Sequence, residues 1–226
     1  MTSIFRRALG DDFDRLHPEL RRRFSVGLHS GEMCTGRGVM DRIWRGPAFV
    51  RPFLALGGTR NVLVPRAGRD IPFTIENVPY VDGYGRETVT FVRTFAFPDR
   101  SRRFDATMIY SARRGCVVDY LGTHQHLATD LHPEVTADGS LIIRSGAHRF
   151  REGLVDVPVP ALIGGDAEVR ERFDERSGRF RISVRVTNRT FGPLFGYEGS
   201  FAAEYAPVEV TGVRPGLRPV REEARV

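Results

Sequence analysis

Apolar and polar residues alternate along most of the chain beyond residue 70, most clearly near its end. Four apolar side chains occupy every second position of one segment, namely Phe180, Ile182, Val184 and Val186. A period of two is typical of a β-strand with one buried and one solvated face. Residues 188–194 contain the turn residues Gly192 and Pro193, and aromatic residues share one face again between Phe195 and Tyr205. The segment therefore predicts two antiparallel strands joined by a turn.

The first 25 residues follow a helical period instead. Thr2 or Ser3 can cap a short helix that ends at Gly10. A second helix has Pro18 in its first turn. It continues an apolar stripe formed by Phe13, Leu16, Leu20 and Phe24. Phe49–Leu56 is predicted to form a further short apolar helix.

These patterns predict an α+β fold that consists mainly of antiparallel β-strands. We expect a strongly curved sheet of about nine to eleven strands, because a sheet of that size must curl or close to protect its edges. The sheet would form a half-barrel or a closed barrel, with one opening covered by the N-terminal helices and Phe49–Leu56. Residues 1–206 are predicted to form a single β-rich domain, and residues 207–226 are expected to be a disordered tail.

The charge of the chain is concentrated at its N-terminus. All 34 basic residues are arginine, which we attribute to a GC-rich coding bias, so the pI near 10 does not itself indicate nucleic-acid binding. Residues 1–66 contain 12 arginines and 6 acidic residues, whereas the rest of the chain is balanced. This excess predicts either weak contact with an anionic surface or a solvated helix face such as Arg21-Arg22-Arg23. Nucleic acid is not expected as a partner, because the basic run lacks interleaved aromatic residues.

Cysteine usage and hydropathy limit the location and the metal chemistry. Only Cys34 and Cys116 are present, and they form no closely spaced pair, which argues against a disulfide scaffold or a structural zinc site. No apolar run is long enough for a transmembrane segment, and charged residues interrupt the N-terminus where a secretion signal would lie. We therefore expect a soluble cytoplasmic protein without a bound cofactor.

Several short motifs, in order, resemble one bacterial family. They include Leu16-His17-Pro18, Arg93-Thr94-Phe95 and the terminal run Gly192–Phe201, and the resemblance covers roughly residues 16–205. On these residues the chain resembles the family called domain of unknown function 4166. The resemblance implies no established activity and no catalytic residues. Within 122–127 the family usually has apolar residues, whereas this chain has two histidines.

Those two histidines, His124 and His126, are the first candidate site residues. If Thr123–Leu131 is a strand, both share a face with Asp130. Two imidazoles and a carboxylate so arranged can ligate a divalent metal or act as an acid–base pair. A metal site needs a further ligand that nothing in the sequence designates, so we expect none, and the alternative is a polar, solvated strand side.

Arg93 and Tyr197 are candidates because each lies within an apolar stripe. Arg93 shares a predicted face with Phe91 and Phe95, where a charge must be paired or hydrogen-bonded. It would anchor a ligand carboxylate or phosphate, or form a structural pair with Asp105, Asp119 or Glu198, or be exposed together with its whole face at a strand end. Tyr197 would either pack in the core or line a pocket of a curved sheet.

Three hypotheses for function follow from this fold. The first is binding of a small hydrophobic or amphipathic molecule within the barrel, as barrels of this size hold one such ligand. The second is an enzyme that uses His124, His126, Asp130 and Arg93 in the same cavity. The third is a protein-interaction module. A large apolar cavity favours the first, convergent polar groups inside it favour the second, and a filled core with an exposed apolar patch favours the third.

Overall fold

The computed structural model describes residues 2–47, 60–62, 64, 66–159, 164–208 and 213–226. The helical part consists of α1 (Ile4–Leu9), a 3₁₀ helix (Gly10–Arg15) and α2 (Pro18–Phe24). The strands are β1 (Glu32–Arg45), β2 (Gly68–Asn77), β3 (Pro79–Val81), β4 (Glu87–Thr90), β5 (Val92–Ala96), β6 (Ser101–Phe104), β7 (Ala106–Ser111), β8 (Cys116–Leu121), β9 (Leu127–Val135), β10 (Leu141–Glu152), β11 (Val155–Pro158), β12 (Asp166–Asp174), β13 (Arg179–Asn188) and β14 (Gly192–Pro207). The predicted α+β fold with N-terminal helices and an antiparallel sheet is confirmed. The predicted helix Phe49–Leu56 lies outside the described residues.

Local sequence determines where the two α-helices begin and end. The Ser3 hydroxyl accepts a hydrogen bond from the Arg6 N–H at 3.2 Å, and α1 ends at Gly10, whose φ is +58°. At the start of α2, Nδ1 of His17 accepts from the Glu19 N–H at 3.2 Å, and Pro18 occupies the first turn. These contacts satisfy backbone groups that a helix end otherwise leaves without partners.

The helices cover one end of the sheet with a continuous apolar face. All the apolar side chains of this face are buried in the main core, namely Ile4, Phe5, Phe13, Leu16, Leu20 and Phe24. Phe5 packs edge-on against Phe24 at 4.7 Å and against Phe91 of the sheet at 6.0 Å. The predicted cover of one opening is therefore present, formed by residues 2–24 among those described.

Three pairs of neighbouring short strands are each one bent strand. Partners keep one register from Phe73–Phe95 to Val81–Glu87, so β2 runs on into β3, and β4 runs on into β5. A second constant register pairs the β4–β5 strand with both β6 and β7, so β6 runs on into β7. Where these strands bend, Phe91 and Ala106 exchange both backbone hydrogen bonds. The strands bend at these points without losing their partners.

With these bent strands counted as continuous, the antiparallel pairing runs full circle. From β7 it passes through β8, β9, β10, β12 and β13 to β14, and β11 lies off this path, paired with β10. The last strand of the chain, β14, also pairs with the first, β1, which in turn pairs with β2. The sheet thus curls back to its starting strand, and one face of each strand points inward.

The segment after β14 differs from the predicted disordered tail. Residues 213–226 lie against the outside of the sheet, where Leu217 and Glu223 are buried. The Glu223 N–H donates to the Gln125 side-chain oxygen at 2.5 Å, and the Tyr120 hydroxyl donates to the Arg225 carbonyl at 2.8 Å. The sequence concealed these contacts because their partners lie about 100 positions away in the chain.

The length and hydropathy of the helices show whether either one could span a membrane. Neither of the helices in the described part of the chain is long and apolar enough to cross a bilayer.

Candidate functional site

The ring of strands encloses a cavity of about 540 Å³, which we call the interior cavity. Strands from around the ring line it with mainly apolar side chains, including Ile75, Phe91, Leu131, Ile143, Val169 and Val184. Phe24 of α2 lies at its covered end. Ligand pockets typically measure roughly 300–1,000 Å³ and carry a few polar groups on an apolar lining. The polar groups of the interior cavity are therefore the candidate site residues.

Arg93 of β5 extends into the interior cavity and is only 6% exposed. Its guanidinium carbon lies 4.9 Å from the ring centre of Phe104 and 5.8 Å from that of Phe91. Nε has no hydrogen-bond partner, and Nη1 reaches the Phe91 carbonyl only at 3.5 Å, the outer limit of a hydrogen bond. Within the described residues, the strongest contacts of this buried cation are thus with aromatic rings.

The acidic partners expected for Arg93 are engaged elsewhere or lie too far away. Asp105 accepts two hydrogen bonds from Arg103, at 2.9 and 3.0 Å, and one from Asn61 at 3.1 Å. In the described part of the chain, Arg93 forms no ion pair within 4.0 Å with Asp119 or any other carboxylate. The structural pair that was one alternative for Arg93 is therefore absent from that part.

Asp119 of β8 lines the same cavity, and sequence reasoning considered it only as a partner for Arg93. It is 7% exposed, and its Oδ1 has no hydrogen-bond partner in the described part of the chain. Burial raises the pKa of the Asp119 carboxyl to about 7, although the positive charge of Arg93 acts in the opposite direction. Its position within the apolar run Cys116–Leu121 is a sequence signal for burial, but the run does not show which face of the sheet Asp119 occupies.

Tyr197 of β14 and His148 of β10 add two further polar atoms without partners. Tyr197 is 1% exposed and packs against Phe95 at 5.2 Å, while its hydroxyl bonds to nothing in the described residues. Nδ1 of His148 lies 2.9 Å from the Thr129 hydroxyl, and Nε2 has no hydrogen-bond partner among the residues that the structure describes. Burial lowers the pKa of His148, which favours the neutral imidazole. Sequence reasoning had not selected His148.

His124 and His126 lie in a turn and not in a strand, so the prediction of a strand from Thr123 was wrong at its start. Between them Gln125 has a φ of +53° and turns its buried amide towards Thr107, which it reaches at 2.6 Å. This left-handed residue breaks the alternation of side chains. The two imidazoles nevertheless stack, with ring centres 5.5 Å apart.

Of the two histidines, His126 lies at the edge of the interior cavity. Its Nδ1 is 2.6 Å from a carboxylate oxygen of Glu152 and 3.1 Å from Nη1 of Arg221, and its Nε2 is 3.3 Å from Nη1 of Arg60. The Nδ1 of His124 contacts the Thr123 hydroxyl at 2.9 Å. The histidines therefore belong to a charged rim around the cavity.

Asp130 does not join the histidines, contrary to the predicted shared face. Because β9 begins at Leu127, residues 127, 129 and 131 face the cavity and Asp130 faces outward. Its carboxylate accepts from Arg114 at 2.7 and 2.8 Å and from Arg149 at 2.7 Å. Burial raises the pKa of Asp130, but these hydrogen bonds outweigh it and hold the pKa at about 2. Asp130 is thus an ion-paired residue of the outer surface.

Metal-binding chemistry has little support in the part of the chain that the structure covers. No group of three or more His, Cys, Asp or Glu side chains there is arranged to hold a metal ion. Cys34 and Cys116 are both buried and unbridged.

A buried ion pair lies at the covered end of the cavity. Nε of Arg23, on α2, donates to Glu171 of β12 at 2.5 Å, and Nη1 donates to the Asn77 side-chain oxygen at 2.6 Å. Both charged side chains are at most 4% exposed. The helical pattern predicted that the Arg21-Arg22-Arg23 triplet points mostly outward. This is confirmed for Arg21 and Arg22, whereas Arg23 points inward. It fastens the helix to the barrel.

Comparison of the sequence with known proteins shows the family of this chain. Residues 16–201 match the family described as Domain of unknown function (DUF4166). The chain belongs to this family. It is also similar to the uncharacterized protein YndH of Bacillus subtilis (strain 168), with 35% identity over 205 residues, which cover 90% of this chain and 98% of YndH. The resemblance of the motifs to DUF4166 is thereby confirmed.

The DUF4166-like terminal motif has a structural explanation in β14. A Cβ atom on Gly196 would lie 2.3 Å from the Trp44 ring and 2.5 Å from the Val184 carbonyl oxygen. A Cβ atom on Gly199 would lie 2.2 Å from the Val39 carbonyl oxygen. All three distances are below contact range, so these two positions require glycine where β14 lies between its neighbours. The motif thus accounts for closure of the sheet, while the cavity residues rest on geometry alone.

Proposed function

We propose that this protein binds a small hydrophobic or amphipathic molecule in the interior cavity. The observation that carries the proposal is the combination of a large apolar volume with a few buried polar atoms that lack partners. A buried polar group without a partner costs roughly 1–3 kcal/mol, so native structures rarely contain several in one place. A ligand with a polar end would satisfy them.

The two other hypotheses have less support. The enzyme hypothesis with His124, His126, Asp130 and Arg93 needs those groups to converge, and Asp130 faces the outer surface while Arg93 lies inside. An interaction module was linked to a filled core, and the cavity argues against that. Contact of residues 1–66 with an anionic surface stays a prediction, although Arg6 and Arg15 are paired with Asp14 and Asp12. A cytoplasmic location also stays a prediction.

Filling the cavity should reduce ligand binding. Ala167 of β12 lines the interior cavity, so the Ala167→Phe substitution places a large ring inside it. We expect the wild-type protein to bind the neutral apolar fluorophore N-phenyl-1-naphthylamine, and Ala167→Phe to weaken that binding about tenfold, equivalent to about 1.4 kcal/mol. Fluorescence titration measures both affinities.

The matched control is Ala202→Phe, which adds the same ring on the exposed side of β14. We expect its affinity for the fluorophore to stay within about twofold of the wild type, because the new ring lies outside the cavity. Equal affinity of a folded Ala167→Phe variant and the wild type, or no binding by the wild type, would contradict the proposal.

A further inference from the structure

We infer that the ligand is an amphipathic monoanion, of the class of long-chain carboxylic acids, whose head group is bound by Arg93 and Tyr197. This inference rests on the proposed function and names the ligand class for the same cavity. Arg93 is the central observation, since its buried guanidinium has an unpartnered Nε and no ion pair in the described residues.

The contacts of Arg93 leave its hydrogen-bonding edge available. The Phe91 and Phe104 rings lie near the guanidinium carbon, and a guanidinium stacked on aromatic faces directs its N–H groups away from those faces. A guanidinium presents parallel N–H groups whose spacing matches a carboxylate. Stacking combined with one long hydrogen bond, and with an Nε that has no partner among the described residues, is therefore the arrangement expected of a guanidinium that can bind an anion.

Tyr197 supplies a second donor to the same position. Its buried hydroxyl has no hydrogen-bond partner among the described residues, and the positive charge of Arg93 is close enough to counteract in part the rise that burial causes in the pKa of Tyr197. Asp119 lies within the same electrostatic range of Arg93. Because burial raises the pKa of Asp119 to about 7, the neutral acid is well populated near neutral pH and can also donate to a carboxylate.

The balance of charge favours a monoanion. Arg23, at the covered end, is already neutralised by Glu171 at 2.5 Å, which leaves Arg93 as the cation without an ion pair among the described residues at this depth. A phosphate monoester carries nearly two charges at neutral pH and would leave one of them unpaired in an apolar surrounding. The apolar walls, including Leu131, Ile143 and Val169, suit an alkyl chain.

Competition between three ligands with the same chain tests the head group. Dodecanoic acid, dodecan-1-ol and dodecyl phosphate would each displace N-phenyl-1-naphthylamine from the wild-type protein at pH 7. We expect the acid to bind at least about tenfold more tightly than the alcohol and the phosphate. We expect Arg93→Gln to abolish this preference by weakening the acid about 10- to 100-fold, while the affinities for the fluorophore and the alcohol stay within about twofold.

Two further variants keep the result interpretable. Arg185→Gln removes an exposed arginine of β13 and should leave all affinities unchanged. Tyr197→Phe removes one donor without a change of shape and should weaken the acid alone, by about threefold to tenfold. If the fluorophore binds but acid and alcohol compete equally, or if a folded Arg93→Gln variant keeps the preference, the head-group inference is wrong. Tighter binding of the phosphate would also overturn it, whereas failure of the fluorophore to bind would refute the cavity proposal itself.

Discussion

Replacing Glu171 with Leu should lower the free energy of unfolding by about 3–5 kcal/mol. Glu171 is 4% exposed and accepts the hydrogen bond from Arg23 Nε at 2.5 Å. Without the carboxylate, a guanidinium remains buried among Phe24, Phe180 and Phe201, and its hydrogen-bond partners among the described residues are Asn77 and the Cys34 sulfur. Desolvation of that unpaired charge, more than loss of attraction, causes the destabilisation. Urea unfolding measures the change.

Two controls separate this effect from a loss of packing. The double variant Arg23→Met with Glu171→Leu removes both charges and should recover most of the loss, because an apolar pair of similar volume often replaces a buried ion pair without cost. Glu134→Leu breaks the exposed pair with Arg144 and should cost no more than about 1 kcal/mol. A single Glu171→Leu variant as stable as Glu134→Leu would contradict the prediction.

Replacing Asp119 with Asn should stabilise the protein at high pH and not at low pH. The folded-state pKa of Asp119 is about 7, against 3.8 for an unperturbed carboxyl. A raised pKa means that the stability contributed by the neutral acid is complete below about pH 4 and is lost as the pH rises towards and through 7. Asparagine keeps its neutral amide throughout. We therefore expect the variant to gain about 2–4 kcal/mol relative to the wild type between pH 4 and pH 8.

Asp130→Asn provides a control of opposite sign. The pKa of Asp130 is held at about 2, so its ionised form stabilises the protein above about pH 4 and that contribution is lost only in acid. This variant should therefore be less stable than the wild type from pH 5 to pH 8, with a difference that is nearly constant in that range. Unfolding free energies measured at several pH values decide the matter. A constant difference for Asp119→Asn over the same range would show that Asp119 is ionised well below pH 7.

Local patterns in the sequence predicted the strands, the helix ends and the apolar stripes in which Arg93 and Tyr197 lie. Alternation fixes which side chains share a face, and Arg93 stood out because Phe91 and Phe95 flank it on that face. The strand predicted from Thr123 was wrong at its start because Gln125 has a left-handed φ, and its side chain bonds to Thr107, a residue 18 positions away. Long-range contacts of this kind leave no periodic signal.

Asp119 and His148 were missed for a related reason. Each residue lies on a strand, and which face of that strand points inward is known only from the neighbouring strands and their register. His148 also follows an irregularity in the pairing of β10 with β9. Asp130 shows the reverse case, because its assignment to a site failed once β9 was found to begin at Leu127. The sequence could thus predict a curved sheet with a polar residue inside, but not which carboxylate faces the cavity.

Native mass spectrometry of the protein, purified without detergent and then mixed with excess dodecanoic acid, tests the cavity most directly. We predict that the wild type and Ala202→Phe retain one added mass per chain, either the acid or a co-purified molecule, and that Ala167→Phe is observed mainly as the bare chain. Bare wild-type protein under these conditions, or equal retention by a folded Ala167→Phe variant, would contradict ligand binding in the interior cavity.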